Sequence, residues 1–428
     1  MKFENCTNLS GTIPKHKVAK EFGELKLANN MFKNCSKLTG TIPEDLFADC
    51  VNIEWDGFRS CFYQCSGLTG EIPENLFMDS PKAVMFDYAF YRCTGLTGEI
   101  PENLFLNNVD ATNMNRIFSG CTGISGKIPS GLFKNCSKLK YIDMVFQDTS
   151  ITEIPVNLFD INNGQPNGII SMAGVFEGTK IKNIPSGLFD LCTEATTFGY
   201  AYSYSGMFQR CTLLESIPEK LFDKNTKVTS FANAFRGCTN LKEIPGQLFY
   251  NNTKVTNYFY VFSGCSILED IPENTFNTSE EVNMSGAFGG CSKLTKIKAG
   301  VFENMPNITT IESIFTGCGN LTEVEGFYIP QNATNIGAIF NMCKSLKSLP
   351  SGLIIPESVT NMSNAFSQCR NLSVAITLKS NQAKYSVNTF GNVGANFTLN
   401  WAYPCTQQII DDMLNDLGRT DIKGVEIK

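Results

Sequence analysis

The chain has 428 residues, 42% of them apolar and 18% charged, with 35 basic against 41 acidic side chains and a net charge of −6. That balance excludes a disordered polyelectrolyte, and the lack of any strongly basic stretch argues against nucleic acid as a partner. No apolar run reaches the length of a membrane span, so no membrane insertion is expected of this chain.

The N-terminus, Met1-Lys2-Phe3-Glu4-Asn5-Cys6, already lies inside a repeating unit and has no apolar core like that of a signal peptide. Two readings fit: a fragment whose export signal or anchor is missing, or a chain never exported by that route. The single histidine, His16, stands in Lys15-His16-Lys17 and reads as a solvated loop residue. It leaves no material for a histidine-based triad or a histidine-rich metal site.

From there the repeat dominates. An apolar residue, Phe, two variable residues and Cys recur, as in Met31-Phe32-Lys33-Asn34-Cys35, Ala234-Phe235-Arg236-Gly237-Cys238 and Ala365-Phe366-Ser367-Gln368-Cys369. The Phe stands at 3, 32, 62, 90, 118, 146, 176, 208, 235, 262, 288, 315, 340, 366 and 390, fifteen copies spaced 24 to 32 residues apart. Self-similarity at this period predicts a solenoid of about fifteen coils rather than two or three globular domains.

Within a coil, Val359, Met362, Ala365, Phe366, Cys369 and Leu372 give apolar positions at −7, −4, −1, 0, +3 and +6 from the Phe. This fits neither a long strand nor a long helix. It fits short inward-facing stretches joined at polar corners. A second signature follows, Leu68-Thr-Gly-Glu-Ile72-Pro73 and then Glu74-Asn75-Leu76-Phe77, in which Pro ends one stretch and opens a turn. Each coil is therefore expected to hold two very short parallel strands and two single helical turns. Two aromatic columns should be buried, one of repeat Phe and one of Leu-Phe.

Twelve of the seventeen cysteines share the +3 place, and Thr149, Thr179 and Val393 replace it in other copies. A place that tolerates Thr and Val predicts a column of reduced thiols packed as small hydrophobes. Cys50, Cys61, Cys136, Cys192 and Cys405 show no pairing pattern, and no set of zinc ligands is complete. No cofactor is expected. Carboxylates such as Glu71, Glu74, Glu99 and Glu102 recur because the repeat recurs, and read as solvated corners rather than as a glycosidase pair.

In mid-chain the spacing swells to 32 residues around Phe198-Gly-Tyr200-Ala-Tyr202-Ser-Tyr204. By register Tyr204 takes the inward −4 place, leaving Tyr200 and Tyr202 exposed. Tyr258 points inward by the same rule, leaving Phe259 and Tyr260 outward. With Tyr250, these five (Tyr200, Tyr202, Tyr250, Phe259, Tyr260) form the candidate partner-binding patch, since tyrosine offers large contact area and a hydroxyl. Near the C-terminus, Ile409, Ile410, Met413, Leu414 and Leu417 share one helical face, with Thr406 as N-cap and Gly418 beyond the end. The solenoid is accordingly assigned to 1–393 and a C-terminal cap with an amphipathic helix to 394–428.

The Ala/Met-Phe-x-x-Cys-x-x-Leu-x-x-Ile-Pro pattern, joined to Val359-Thr360-Asn361-Met362-Ser363, resembles the leucine-rich repeats of BspA-like bacterial surface proteins over about residues 3 to 393. The resemblance implies a right-handed solenoid displayed on a cell surface or outside the cell, acting in adhesion to proteins, other cells or glycans. The tail from Cys405 to Gly418 also faintly resembles the ends of phage and prophage repeat proteins, which keeps a virion location open. The expected function is non-enzymatic recognition of a protein or glycan across the solenoid surface. The alternative is a structural spacer, or a virion-associated repeat protein, with no specific ligand of its own.

Overall fold

The computed structural model describes residues 3–14, 25–350, 352–386, 388–419 and 421–427, so His16 lies outside the described residues. The chain divides into two compact units. The first holds Met1–Tyr200, Ser205–Leu214 and Lys220–Val228; the second holds Ala201–Tyr204, Glu215–Glu219 and Thr229–Lys428.

Each unit is a stack of repeat coils around two aromatic columns. In the first unit the rings from Phe3 to Phe208 stack coil on coil, with centroids 5.3–6.1 Å apart. In the second, Phe235 to Phe390 do the same at 5.5–6.0 Å. Such contacts are worth about 0.5–1.5 kcal/mol each beyond the area they bury. The Leu-Phe column runs beside them: Phe77 and Phe105 stack at 6.0 Å in the first unit, and Phe249 and Phe276 at 5.6 Å in the second.

The strands are two to four residues long, or single parallel bridges. Along the Val-Thr-Asn stretch, Asn113 bridges Tyr141, and Asn335 bridges Asn361. Along the Leu stretch, Gly11–Thr12 pairs with Leu38–Thr39, and Lys296–Ile297 with Glu323–Val324. The asparagine of Val-Thr-Asn has a local task. Its side-chain oxygen accepts the amide two residues on, as in Asn257 to Phe259 (2.9 Å) and Asn361 to Ser363 (3.0 Å), an Asx turn that starts the corner.

The corners are tight hydrogen-bonded turns, not the single helical turns expected from sequence. The reason is a pair of left-handed residues two places before and two places after most of the repeat Phe residues. Around Phe262 they are Tyr260 (φ 53) and Gly264 (φ 76); around Phe366 they are Asn364 (φ 58) and Gln368 (φ 63). Left-handed residues interrupt any helical run and turn amides outward to the next coil. Thus Tyr260, Phe262 and Gly264 donate to Ser285, Ala287 and Gly289 at 2.7–2.9 Å.

The cysteine column is more than apolar filling. Its thiols donate to the carbonyl of the Phe one coil back, as in Cys65 to Phe32, Cys93 to Phe62 and Cys121 to Phe90, all at 2.9 Å, and Cys343 to Phe315 at 3.1 Å. Thr149 and Thr179 turn instead to the carbonyl of their own coil's Phe, at 2.7 Å. Three cysteines without an evident pattern prove to be ordered too. Cys50, Cys136 and Cys192 stand three places after Phe47, Phe133 and Phe189, where other coils place Ser80, Asn108 and Asn225. Here Asn108 donates to Phe77 (3.1 Å) and Asn225 to Phe189 (3.0 Å), again one coil back.

In the second unit the last coils carry a parallel sheet of Ile354–Ile355, Ala375–Leu378, Thr398–Trp401 and Lys423–Glu426. The helix Gln407–Asp416 precedes its final strand. The Thr406 hydroxyl accepts from the Ile409 amide (3.4 Å), Ile410, Met413 and Leu414 are buried, and Gly418 is left-handed. The strand after the helix carries no alternating apolar pattern and was invisible in the sequence.

Two stability predictions follow from the core. Tyr258 is fully buried among Phe231, Phe249 and Phe276, and its hydroxyl meets no partner among the described residues. Tyr258→Phe should therefore raise the free energy of unfolding by about 1 kcal/mol, since a buried unpaired hydroxyl costs that order; a loss of stability in denaturant titration would contradict this. Burial pushes the Cys265, Cys318 and Cys369 thiols up to about 12 from 9.0. Because the folded state holds these protons and the unfolded chain releases them first, stability should be flat below pH 9 and fall between pH 9 and 12. Denaturant midpoints measured from pH 7 upward test it, and a midpoint that rises above pH 9 would refute it.

Candidate functional site

The corners around the repeat Phe are where side chains escape the core, because the positions at −2, +1 and +2 serve only to shape the turn. In the second unit two of these corners, with Tyr204, gather an aromatic cluster around one cation. The guanidinium of Arg236, one place after Phe235, lies 4.9 Å from the ring centre of Tyr260 and 5.6 Å from that of Tyr204. Phe259 closes the group, edge-on to Tyr260 at 4.3 Å and tilted against Tyr204 at 6.0 Å. No carboxylate pairs with Arg236 among the described residues; its side-chain hydrogen bond goes to Asn233 Oδ1 at 3.4 Å. Desolvated cation–π contacts of this kind hold aromatic rings in place and are worth about 0.5–2 kcal/mol.

The first unit carries a second such cluster. Tyr63 and Tyr91 each follow a repeat Phe, so successive coils stack them at 4.8 Å, and Tyr88 sits edge-on to Tyr91 at 5.6 Å. Three cations border the rings: Lys33 over Tyr63 (5.8 Å), Arg92 over Tyr91 (5.3 Å) and Arg116 over Tyr88 (5.4 Å). Arg116 also donates to the Tyr88 hydroxyl and Lys33 reaches Glu4 at 3.5 Å. Arg92 is exposed and has no acidic partner among the described residues.

Neither cluster resembles a reacting centre. Among the described residues no group of three His, Cys, Asp or Glu side chains could hold a metal ion, and no helix is long and apolar enough to cross a membrane. The carboxylates Glu71, Glu74, Glu99 and Glu102 flank a groove of about 890 Å³ floored by prolines. They recur with the repeat, as the sequence suggests.

Comparison with known proteins adds the family. A family model described as a BspA type leucine rich repeat region matches residues 85–241 in six copies. Residues 85–241 are thus similar to BspA-type leucine-rich repeats. A second model, described as a Mycoplasma protein of unknown function (DUF285), matches residues 202–323 and 298–398. No curated protein matches the sequence. Among solved structures, a leucine rich cell surface protein from Faecalibacterium prausnitzii A2-165 is similar at 18% identity over 90% of each chain, with a TM-score of 0.36.

The register of the repeat Phe explains where the five expected patch residues fall, and where one expectation fails. Tyr204 does not point inward: it is 54% exposed, and Phe198 fills the buried −4 place beside Phe189 and Phe222. The long coil keeps its register by folding the surplus into a hairpin, Thr197–Tyr200 antiparallel to Ser205–Gly206, with the residues between left outside the stack. Tyr202 at the tip is fully exposed. Tyr200 belongs to the first unit, where its hydroxyl bonds Ser171 (2.8 Å) and Asp143 (3.1 Å). Burial raises the Asp143 carboxyl above its ordinary range against these bonds. Phe259 and Tyr260 are half-buried and share the Arg236 cluster. Tyr250 stands on the Leu-Phe turn of its coil, and no ring contact joins it to the cluster among the described residues.

Sequence reasoning missed Arg236 and the whole Tyr63–Tyr88–Tyr91 group. A signal existed, for Tyr63 and Tyr91 occupy the same register place in successive repeats, and a solenoid stacks equal places. Arg236 gave no signal beyond its charge.

The ring of Tyr260 depends on Gly286, left-handed at φ 62, whose added Cβ would stand 2.4 Å from Tyr260 Cε1. Gly286→Ala should displace that ring from Arg236 and cost about 2 kcal/mol or more. Gly352→Ala, left-handed at φ 74 with open space around it, should cost only the backbone term of about 1 kcal/mol. Aromatic proton shifts and denaturant midpoints of the two variants check this; equal losses and an unmoved Tyr260 would overturn it.

Proposed function

We propose that this BspA-type repeat protein is a non-enzymatic recognition module displayed on a bacterial surface, binding a protein or glycan through its coil corners. The observation that carries the reading is the Tyr204–Arg236–Tyr260 sandwich with Phe259. It is a partly exposed aromatic group held by a cation that no carboxylate neutralises among the described residues. Nothing in coil geometry calls for it: the equivalent left-handed place to Tyr260 is Asn233 one coil earlier and Gly286 one coil later. Rigid tyrosines with an arginine are the side chains that dominate binding energy at protein interfaces, because they lose little entropy on contact. The fully exposed Tyr202 on the adjoining hairpin extends the surface. Surface display and adhesion accord with the BspA-type match over residues 85–241.

The test is a binding screen of the purified chain against extracellular-matrix proteins and arrayed glycans. Tyr202→Ala/Tyr204→Ala/Tyr260→Ala is run beside it, after matching its thermal unfolding to the parent. The expected result is a ligand whose affinity falls at least about tenfold in the triple variant, a loss of about 1.4 kcal/mol. A ligand unaffected by the variant would remove this cluster from the function. A chain that binds nothing would turn the assignment to a structural spacer.

A further inference from the structure

Two cavities of the first unit share Arg92 and Thr94, one of about 420 Å³ and one of about 640 Å³. Together they form a single polar groove along the coils. One wall is made by residues two places after the Phe, such as Gln64, Arg92 and Arg210; the other by residues four places after it, such as Ser36, Ser66 and Thr94.

The groove is stocked with uncommitted polar groups. The hydroxyls of Ser36, Ser66 and Thr94 are exposed and make no side-chain hydrogen bond among the described residues, nor does the Gln64 amide. Among the described residues Arg92 has no ion pair, and Lys180 at the far end has none either, while Arg210 is tied to Asp148 (3.0 Å) and Glu177 (2.8 Å). Asp148 is the one acidic side chain on the lining, and it is answered by Arg210. In a chain of net charge −6 this groove keeps an excess of cations.

The backbone sharpens the point. Every residue of the Arg92 wall is left-handed, where glycine is the least costly choice and any other side chain costs about 1 kcal/mol. The second unit takes that choice at Gly237, Gly264, Gly290 and Gly317. The first unit does so at Gly120 and Gly178 but carries Gln64 (φ 57), Arg92 (φ 55) and Arg210 (φ 58) at the same register place, as the second carries Met342 (φ 63) and Gln368 (φ 63). Gly120, one coil on from Arg92, leaves room for its stem, since a Cβ there would stand 2.8 Å from Arg92 Cγ. Arg92 in turn lies against Tyr91, which is stacked on Tyr63.

We propose that this groove binds an anionic polysaccharide, with Arg92 and Lys180 meeting its carboxylates or sulfates and the Ser, Thr and Gln side chains meeting its hydroxyls. This deepens the recognition function by naming a ligand class and a second site, distinct from the Arg236 cluster. Rows of free hydroxyls and an amide suit a partner rich in hydroxyls, and unpaired cations suit its charge.

The full chain is titrated calorimetrically with polygalacturonate, dextran sulfate, neutral dextran and poly-L-glutamate. Binding of either anionic polysaccharide is expected, with dextran and polyglutamate at least about tenfold weaker, and an affinity that falls with added salt. The first two arms separate carboxylate from sulfate. Arg92→Gln places at 92 the residue that Gln64 and Gln368 already provide at the same register place. It should unfold like the parent yet bind about tenfold more weakly, the loss of one charged hydrogen bond. Ser36→Ala/Ser66→Ala/Thr94→Ala should weaken the polysaccharide alone. Undiminished binding by either variant overturns the proposal, as does dextran or polyglutamate binding equally well. Silence of both acidic polysaccharides beside a matrix-protein signal that the Tyr202→Ala/Tyr204→Ala/Tyr260→Ala variant abolishes removes the groove and leaves the recognition function; silence in every arm removes both.

Discussion

Everything in these coils depends on one carbonyl. From Phe3 to Phe366 the oxygen of each repeat Phe accepts the amide of the Cys or Thr three places on, and in most coils also the thiol of the next coil's Cys. Phe62 O, for example, takes Cys65 N at 3.0 Å and Cys93 Sγ at 2.9 Å. Both lone pairs are used in a place without water, where an unmet carbonyl is costly. That arrangement requires the chain to reverse between Phe and Cys, and so requires the left-handed residue just before Cys. The Gly-Cys, Asn-Cys and Gln-Cys pairs that recur along the sequence are the trace of this single requirement.

The same carbonyl explains why the column is cysteine. A thiol is a weak donor, yet its longer reach spans to the preceding coil while its body packs as an apolar group. A threonine hydroxyl falls short and turns back on its own coil. After Thr149 the Phe118 carbonyl keeps only the Cys121 amide, so the exchange is tolerated at the cost of one inter-coil bond. The expectation of a column packed as small hydrophobes missed its polarity. It treated a hydrogen-bonding place as an apolar one because Thr and Val stand there in other copies.

How much was legible follows from what repeats. The Phe and Leu-Phe columns, the two short strands and the Gln407–Asp416 helix were readable because each imposes an apolar residue at a fixed place, over many coils or over one helical face. The corners were misread as helical turns because backbone handedness leaves only a faint mark in residue type: Arg92, Tyr260 and Met342 are left-handed without being Gly or Asn. The second thiol column escaped because Cys, Ser, Asn and Thr share a donor there, and no single residue type announces it. At the candidate site, Phe259 and Tyr260 were found from their register, whereas Tyr204 was misplaced by counting back from Phe208 through an insertion. The true inward residue, Phe198, lies ten places before that Phe, and only a hairpin that loops the surplus out restores the count.

The division of labour inside a coil explains why recognition can vary without disturbing the stack. Core places are fixed by ring stacking and by the Phe carbonyl, so a change there is felt by both neighbouring coils. Corner places must satisfy only a backbone angle, and Gly, Asn, Gln, Arg, Tyr, Ala and Met all do so somewhere in this chain. Side chains at corners are thus free to serve a ligand on a rigid scaffold. The freedom has one limit, visible at Gly286 and Gly120. A large side chain on one coil lies across the corner of the next, so tyrosine at 260 and arginine at 92 each demand a glycine one coil on. The limit depends on how the side chain lies, for Tyr260 and Arg92 are each followed by a bare place, whereas Gln64 is followed by Arg92 and Tyr88 by Arg116.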